Sequence, residues 1–253
     1  MNLAERLRAD ETLYTAWSGI PDPLVAEFLA RAGFDAVTLD MQHGCHSTDS
    51  VLRGVAAVTL AGKPAVVRIP VGSFDLASRA LDFGAMAVIA PMVNSVADAR
   101  AFAAAMKFPP MGERSWGPTR VLALHGHADP QAYLQSANRD TLAIAMVETR
   151  AALAALDDIL AVDGIDGVFV GPSDFSIAHS AGSRVDPGNA DMLASARDVA
   201  ERTRRAGKIP CTLGMTAEAA IRFREIGFRF IALSGDFYYL TAGANAILQA
   251  ARA

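Results

Sequence analysis

Polar residues of catalytic type follow several short apolar runs in this sequence of 253 residues. His43 comes after FDAVTLD, Arg68 lies within VVRIP, Glu148 ends the run AMVE, and Asp174 follows VFVGPS. A histidine titrates near neutral pH and suits proton transfer. An arginine in an apolar run needs an anionic partner if it is buried. The sequence therefore predicts a site that combines proton transfer with binding of an anion.

Two carboxylates follow successive apolar runs and predict a metal site. Glu148 and Asp174 can converge on one hard cation, and oxygen ligands suit Mg²⁺ or Mn²⁺. An alternative stays open, in which each acid pairs with a neighbouring arginine or lysine. The only two cysteines, Cys45 and Cys211, lack zinc-knuckle spacing. They indicate a reduced, cytoplasmic setting.

Further side chains are expected around these four. Asp82, in RALDFGA, is a candidate to orient the His43 imidazole, because carboxylates often hold histidines in this way. Its alternative is an acid on a helix surface. The turn at Gly171-Pro-Ser173 offers backbone amides to a small carboxylate. Trp17 is expected in the core or the pocket wall.

Eight predicted strands, alternating with eight predicted helices, must position these residues. Eight short apolar runs predict strands buried on both faces. They are Leu13–Ser18, Ala36–Met41, Ala65–Pro70, Ala87–Met92, Leu142–Glu148, Gly167–Gly171, Pro210–Gly214 and Phe230–Gly235. Segments of helical period follow them. These are Asp22–Ala32, Ser47–Ala61, Phe74–Phe83, Val96–Lys107, Arg150–Val162, Asp191–Ala206, Thr216–Ile226 and Tyr238–Arg252.

Strict alternation of strand and helix predicts one domain, residues 1–253, folded as a single (β/α)8 TIM barrel. An open, doubly wound sheet is the alternative. Active sites of such barrels lie at the carboxyl ends of the strands, where the candidate residues fall. The Pro-, Gly- and His-rich segment Phe108–Asp140 is the one irregular connection. It either covers the site, reaches a neighbouring subunit or runs over the surface.

Composition excludes several classes of function. The net charge is −4, so no basic surface for nucleic acid or an anionic membrane is expected. No apolar run approaches the roughly 20 residues that span a bilayer. With 52% hydrophobic and 20% charged residues, the chain is typical of a globular enzyme. Small-molecule substrates are therefore the expected partners.

Six motifs together resemble the HpcH/HpaI aldolase family. They occur in the family's order over nearly the whole chain: FDAVTLDMQHG, PAVVRIP, ALDFGAMAVIAPMV, KFPPMGERS, AMVETR and GIDGVFVGPSDFS. The resemblance points to its 4-hydroxy-2-oxoheptanedioate, 2-dehydro-3-deoxyglucarate and hydroxypyruvate aldolases. It implies a phosphoenolpyruvate/pyruvate-type barrel and a class II aldolase. Such an enzyme joins pyruvate or hydroxypyruvate to an aldehyde through a metal-stabilised enolate.

The resemblance also implies a role for each matching residue. Glu148 and Asp174 are implied ligands of Mg²⁺ or Mn²⁺, with Co²⁺ as a further option. Arg68 contacts the keto oxygen, and His43 transfers a proton with Asp82 as its partner. The remaining implied contacts are to substrate. Amides near Ser173 and Asp174 hold the carboxylate, while Leu213 lines the aldehyde side and Trp17 the pocket.

One residue departs from the family pattern. Many members have glutamate directly before the histidine, whereas this chain has Gln42, which cannot act as a base. The departure puts in doubt the transfer of any one member's substrate to this chain. Two other readings remain. A lyase of the citrate lyase β type acting on CoA thioesters would need an extended basic cleft, which the sequence does not clearly show. The Gln42 departure keeps open a non-catalytic carboxylate-binding relative.

A Schiff-base aldolase is disfavoured, because it needs a lysine at a strand end. The three lysines Lys63, Lys107 and Lys208 fall at helix ends or in loops. The apolar C-terminal segment FYYLTAGANAILQA is expected to pack on another subunit, with exchange of this helix between subunits as an option. The resemblance implies a homohexamer.

Overall fold

A computed structural model describes residues 1–253 and has the predicted closed barrel. Eight parallel strands pair in chain order, and the last pairs with the first. The strands are β1 (Leu13–Ser18), β2 (Ala36–Asp40), β3 (Ala65–Arg68), β4 (Ala87–Ala90), β5 (Leu142–Val147), β6 (Gly167–Val170), β7 (Ile209–Gly214) and β8 (Phe230–Leu233). The prediction of a (β/α)8 barrel is confirmed, and the open sheet is wrong.

Thirteen helices surround the strands or close the barrel's ends. They are α1 (Leu3–Arg8), α2 (Pro23–Arg31), α3 (Thr48–Leu60), α4 (Phe74–Phe83), α5 (Val96–Met106), α6 (Thr119–His125), α7 (Pro130–Asp140), α8 (Arg150–Ala154), α9 (Leu156–Leu160), α10 (Pro172–His179), α11 (Ala190–Arg205), α12 (Ala217–Glu225) and α13 (Asp236–Arg252). None of them is long and apolar enough to cross a membrane.

The strands form because their residues are apolar on both faces. Every residue of β5 is buried, and the same holds for β2, β3, β4 and β6. Inside the barrel, side chains such as Ile144, Phe169 and Phe230 fill the space, as the layered interior of this fold requires. Leu3 and Leu7 of α1 join this cluster and close the barrel at the amino ends of the strands. The barrel is thus open for chemistry only at the opposite rim.

The irregular segment 108–140 does not lie at that open rim. It contains α6 and α7 and connects the end of α5 to the start of β5, which places it at the amino-terminal rim. The side chain of Lys107 fastens it there by donating to the carbonyl oxygens of Asn138 and Thr141 at 2.8 and 2.7 Å. The suggestion that this segment covers its own active site is therefore wrong.

Further differences from the predicted elements concern helices, including α1, which has no predicted counterpart. The predicted helix 150–162 is two short helices, α8 and α9, separated at Ala155. The segment after β6 was expected to be a turn, but it forms α10, which begins with Pro172 in its first turn. Proline is favoured there because the first turn of a helix does not need its missing N–H.

Candidate active site

An arginine and an aspartate form the centre of the open rim. Asp40 ends β2 and Arg68 ends β3, and the strand register places the two side by side. Arg68 donates from Nε to Oδ1 of Asp40 at 2.8 Å and from Nη2 to Oδ2 at 2.6 Å, and both side chains are buried. Such a two-point ion pair fixes the guanidinium plane. Two of its three nitrogens are occupied, and Nη1 remains for another oxygen atom.

Trp17 at the end of β1 completes this arrangement. Its indole Nε1 donates to Oδ2 of Asp40 at 3.2 Å, and the guanidinium carbon of Arg68 lies 4.7 Å from the ring centroid. Burial raises the pKa of Asp40, but the hydrogen bonds and charge of Arg68 outweigh it and hold that pKa below its usual value. Asp40 is therefore a permanent anion that orients Arg68.

The loop after β2 carries His43 and begins on the same carboxylate. Asp40 accepts from the backbone N–H of Gln42 and of Gly44, each at 2.9 Å. His43 lies between these two residues with its side chain exposed at the rim. The Oε1 atom of Gln42 is buried without a hydrogen-bond partner. The residue directly before His43 therefore carries a buried amide oxygen without a partner.

Glu148 is the buried acid of the site. It follows β5 directly, is 2% exposed, and accepts from the N–H of Met92 at 2.9 Å through Oε1. Burial raises its pKa, the Met92 hydrogen bond opposes this, and the charge of Asp174 raises it further, while Arg68 lowers it. A cation bound beside this buried carboxylate would offset the unfavourable burial of its negative charge.

Asp174 lies in the first turn of α10, after the neighbouring strand β6, and is exposed. Arg68 ends β3, Glu148 follows β5 and Asp174 follows β6, so the three groups lie at the carboxyl ends of strands on one rim. The charge of Asp174 raises the pKa of Glu148 and that of Arg68 lowers it. The chain has no cluster of three or more His, Cys, Asp or Glu residues with metal-binding geometry. A cation bound here would be coordinated by the carboxylates of Glu148 and Asp174 and would complete its coordination with water or substrate.

The helix α10 also carries Ser173, which is exposed beside Asp174. Backbone N–H groups in the first turn of a helix have no partner within it and attract anions. Ser173 and Leu213 line a small cavity of about 110 Å³ together with Met215 and Arg222. This cavity borders the rim between α10 and β7, the side on which the aldehyde was predicted.

Asp82 is the one predicted site residue that lies elsewhere. It is the penultimate residue of α4, and this helix ends at the amino-terminal rim, whereas His43 is at the other. Asp82 accepts from Nη2 of Arg114 at 2.6 Å, and the Arg114 side chain is fully buried. Within one chain Asp82 therefore pairs with an arginine and does not orient His43. A role beside His43 requires a second copy of the chain.

Sequence reasoning did not include Asp40 among the site residues. Its signal was present, because Asp40 and Arg68 end neighbouring predicted strands and such ends meet at one rim. The other predicted residues at this rim are Trp17, His43, Arg68, Glu148, Ser173, Asp174 and Leu213. The geometry brings an oriented arginine, an exposed histidine and two carboxylates to one opening.

Known proteins share this chain's sequence and fold. The family model described as HpcH/HpaI aldolase/citrate lyase matches residues 13–241. A hydroxypyruvate/pyruvate aldolase of Rhizorhabdus wittichii is 38% identical over 238 residues, which cover 94% of this chain and 93% of that protein. A 4-hydroxy-2-oxo-heptane-1,7-dioate aldolase of Klebsiella pneumoniae is 33% identical, covering 96% and 91%.

A solved structure has the same fold over its whole length. It is a HpcH/HpaI aldolase/citrate lyase family protein of Burkholderia cenocepacia, with a TM-score of 0.89 and 31% identity. The similarity covers 99% of both chains.

Proposed function

This chain belongs to the HpcH/HpaI aldolase/citrate lyase family, and from this premise we propose that it is a divalent-metal-dependent aldolase. It catalyses reversible addition of pyruvate or hydroxypyruvate to an aldehyde. The relatives named hydroxypyruvate/pyruvate aldolase support this choice of keto acid. The observation that carries the proposal is the buried Glu148, which lies at one rim with Asp174 and the oriented Arg68.

The residues at the rim fit a divalent cation. Glu148 is buried and its pKa is raised by burial, so a cation would offset an unfavourable negative charge. Its Oε2 atom faces Gly171, the one residue type that leaves room there. Two carboxylates with open positions suit Mg²⁺ or Mn²⁺, with Co²⁺ as an option. When bound, such a cation polarises the ketone and acidifies the adjacent C–H group.

The side chains of this chain supply the remaining steps. Arg68 directs its free Nη1 to the keto oxygen, held in plane by Asp40. The first-turn amides of α10 at Ser173 and Asp174 receive the keto acid's carboxylate. His43 removes a proton from C3, and the resulting carbanion attacks the aldehyde carbon. A C–C bond forms, the aldehyde oxygen gains a proton, and retro-aldol cleavage reverses each step.

The lysines support this class of aldolase over a Schiff-base enzyme. Lys107 donates to two carbonyls and to Asp166 at the amino-terminal rim, and Lys208 donates to the carbonyls of Val162 and Ile165. Lys63 precedes β3 and lies at that rim as well. No lysine of the chain reaches the opening, and a covalent imine with the keto acid needs one.

The test is a retro-aldol assay with metals varied. Purified protein is stripped with a chelator, supplied with Mn²⁺ or Mg²⁺, and offered a series of 4-hydroxy-2-keto acids, with released pyruvate or hydroxypyruvate measured by reduction. Glu148→Gln should lower kcat about a hundredfold or more, as loss of charge stabilisation does elsewhere. Glu113→Gln, an exposed acid of the other rim, is the matched control. Full activity of Glu148→Ala with metal added would refute the proposal.

A further inference from the structure

A buried histidine that the proposed chemistry does not use lies three residues after His43. His46 is 6% exposed and bridges two serines. Its Nε2 atom lies 3.1 Å from Oγ of Ser18, and its Nδ1 atom lies 3.0 Å from Oγ of Ser50. Ser18 ends β1 and Ser50 lies in the first turn of α3, so the ring joins two elements across the loop that carries His43.

The chain of hydrogen bonds continues to a buried carboxylate. Ser18 Oγ donates to Oδ2 of Asp236 at 3.1 Å, and Asp236 is the first residue of α13, after β8. Asp236 also accepts from the N–H groups of Gly19 and Ile20, with its nearest contacts at 2.9 Å. His46, in the loop after β2, is therefore linked through Ser18 at the end of β1 to Asp236 after β8.

The loop is anchored at both ends by these contacts. Asp40 holds its start through the amides of Gln42 and Gly44, and His46 holds its end. Between them Gly44 packs on Gly19, where a Cβ atom would lie 2.9 Å from the Cα of Gly19. The backbone N–H of His43 donates weakly to Oδ1 of Asp40 at 3.4 Å. Its imidazole makes no hydrogen bond, so the neighbouring contacts of the loop set the position of the ring relative to Arg68.

We propose that His46 is a positioning residue for His43, acting through the chain Asp236–Ser18–His46. The inference rests on the proposed function, since it assigns His43 a place in proton transfer. A displacement of about 1 Å in a reacting group can lower a rate about a hundredfold. Loss of the His46 link should therefore lower kcat and leave the binding of keto acid, which Arg68 and α10 perform, nearly unchanged.

Three variants separate the two hydrogen bonds of the ring. His46→Gln places an amide nitrogen near the position of Nε2 and keeps the Ser18 link, whereas His46→Asn reaches only toward Ser50. We expect kcat to fall about tenfold or more in His46→Ala and His46→Asn, within the range that misplacement produces. KM for the keto acid should stay within about threefold, and His46→Gln should recover most of kcat.

Combination with His43→Ala tests whether His46 acts through His43. In a His43→Ala background, a second change to His46→Asn should lower kcat no further, because the group it positions is already gone. His125→Ala is the matched control, since His125 bonds to the carbonyl oxygen of Gly84 at 2.8 Å on the far rim. It should leave kcat unchanged.

The outcomes distinguish this inference from the proposed function. Unchanged kcat in folded His46→Asn, or additive losses with His43→Ala, would overturn the inference while the aldolase function stood. If the unaltered protein has no aldolase activity, the proposed function fails. Amide hydrogen exchange then tests whether His46 anchors the loop that carries His43. Faster exchange confined to residues 41–47 in His46→Asn supports the anchor, and unaltered exchange overturns it. Failure of all three variants to fold would also overturn it.

Discussion

Gly171 lies so close to Glu148 that a Cβ atom on the glycine would be 2.5 Å from Oε2. The same Cβ would lie 3.1 Å from the terminal methyl of Met146, so the ends of both side chains would have to shift to make room for it. The glycine therefore keeps the space in which the buried carboxylate faces the rim. Gly171 also follows β6 directly and is the N-cap residue of α10, which carries Asp174.

Gly171→Ala should displace the Glu148 carboxylate and weaken the cation site. At the same metal concentration, we expect a lower kcat for this variant than for the wild type. Overpacking should also lower the free energy of unfolding by about 1–3 kcal/mol. Urea unfolding and a metal titration of the rate measure the two effects. Gly243→Ala in α13 is the control, because a Cβ there meets nothing within 4 Å. Equal activity of the two variants at low metal concentration would contradict the argument.

Asp40→Asn should destabilise the protein and alter its response to acid. The change leaves a buried guanidinium without its anion, which lowers the free energy of unfolding by about 3 kcal/mol. Arg68 holds the pKa of Asp40 below the usual value. A free aspartate titrates at about 3.9. The pair's contribution is therefore complete above that pH and is lost as the pH falls through the lower pKa of the folded state.

Urea unfolding between neutral pH and about pH 3 checks this dependence. The wild-type free energy of unfolding should fall more steeply over the acid end than that of Asp40→Asn, which lacks the titrating group. Asp129→Asn is the control, because Asp129 caps α7 at an exposed position. Parallel curves for wild type and Asp40→Asn would show that the Arg68 pair does not contribute to acid sensitivity.

The fold could be predicted from sequence because parallel strands buried on both faces leave continuous apolar runs. Leu13–Ser18 is predicted and observed with the same bounds, and the other strands differ by one or two residues at an end. Helix α10 was missed because GPSD is equally typical of a turn. The break at Ala155 has no signal, since RAALAALDDIL keeps its helical period through it.

The site could be predicted only in part, for a related reason. Strand ends share a rim, and the structure places His43, Arg68, Glu148 and Asp174 at the rim that this rule predicts. Asp82 lies near the end of a helix, and the helices of this barrel end at the rim opposite the strand ends. Its position near the end of a predicted helix therefore already indicated that it lies away from His43. The His46 bridge depends on loop geometry, which no spacing in the sequence specifies.

Asp82→Asn should destabilise the amino-terminal rim. Arg114 is fully buried, and its Nε and Nη1 atoms already lack partners, so the Asp82 carboxylate is its main compensation. Loss of that charge should lower the free energy of unfolding by about 3 kcal/mol. Thermal and urea unfolding measure it, with Asp75→Asn on the same helix as the control. If Asp82 of another copy orients His43, kcat should also be lower in Asp82→Asn protein that is shown to be fully folded. An unchanged kcat in that protein would contradict a role beside His43.

Lys107→Met should affect stability and not the reaction chemistry. The ammonium group is buried with three acceptors at 2.7–2.8 Å. Its removal leaves the carbonyl oxygens of Asn138 and Thr141 without this donor, while Asp166 keeps Arg8 and the N–H of Ala143. The loss should lower the free energy of unfolding by about 1–3 kcal/mol. Borohydride added with pyruvate should not inactivate the wild-type enzyme, because no imine forms. Mass spectrometry of the treated protein checks this. A reduced pyruvate adduct on any lysine would contradict the metal-dependent mechanism.

The exposed apolar face of α13 predicts self-association. Phe237, Tyr238, Leu240 and Ile247 are each more than half exposed on this terminal helix, and large apolar patches on a single chain mark interaction surfaces. We expect an oligomer, a hexamer by resemblance, in which the helix packs on a second copy. Ile247→Asp should lower the mass measured by light scattering, since an unpaired charge would be buried. Asn245→Asp adds the same charge to the helix and serves as control. A monomeric wild type, or a mass unchanged in Ile247→Asp, would show that this face has no such partner.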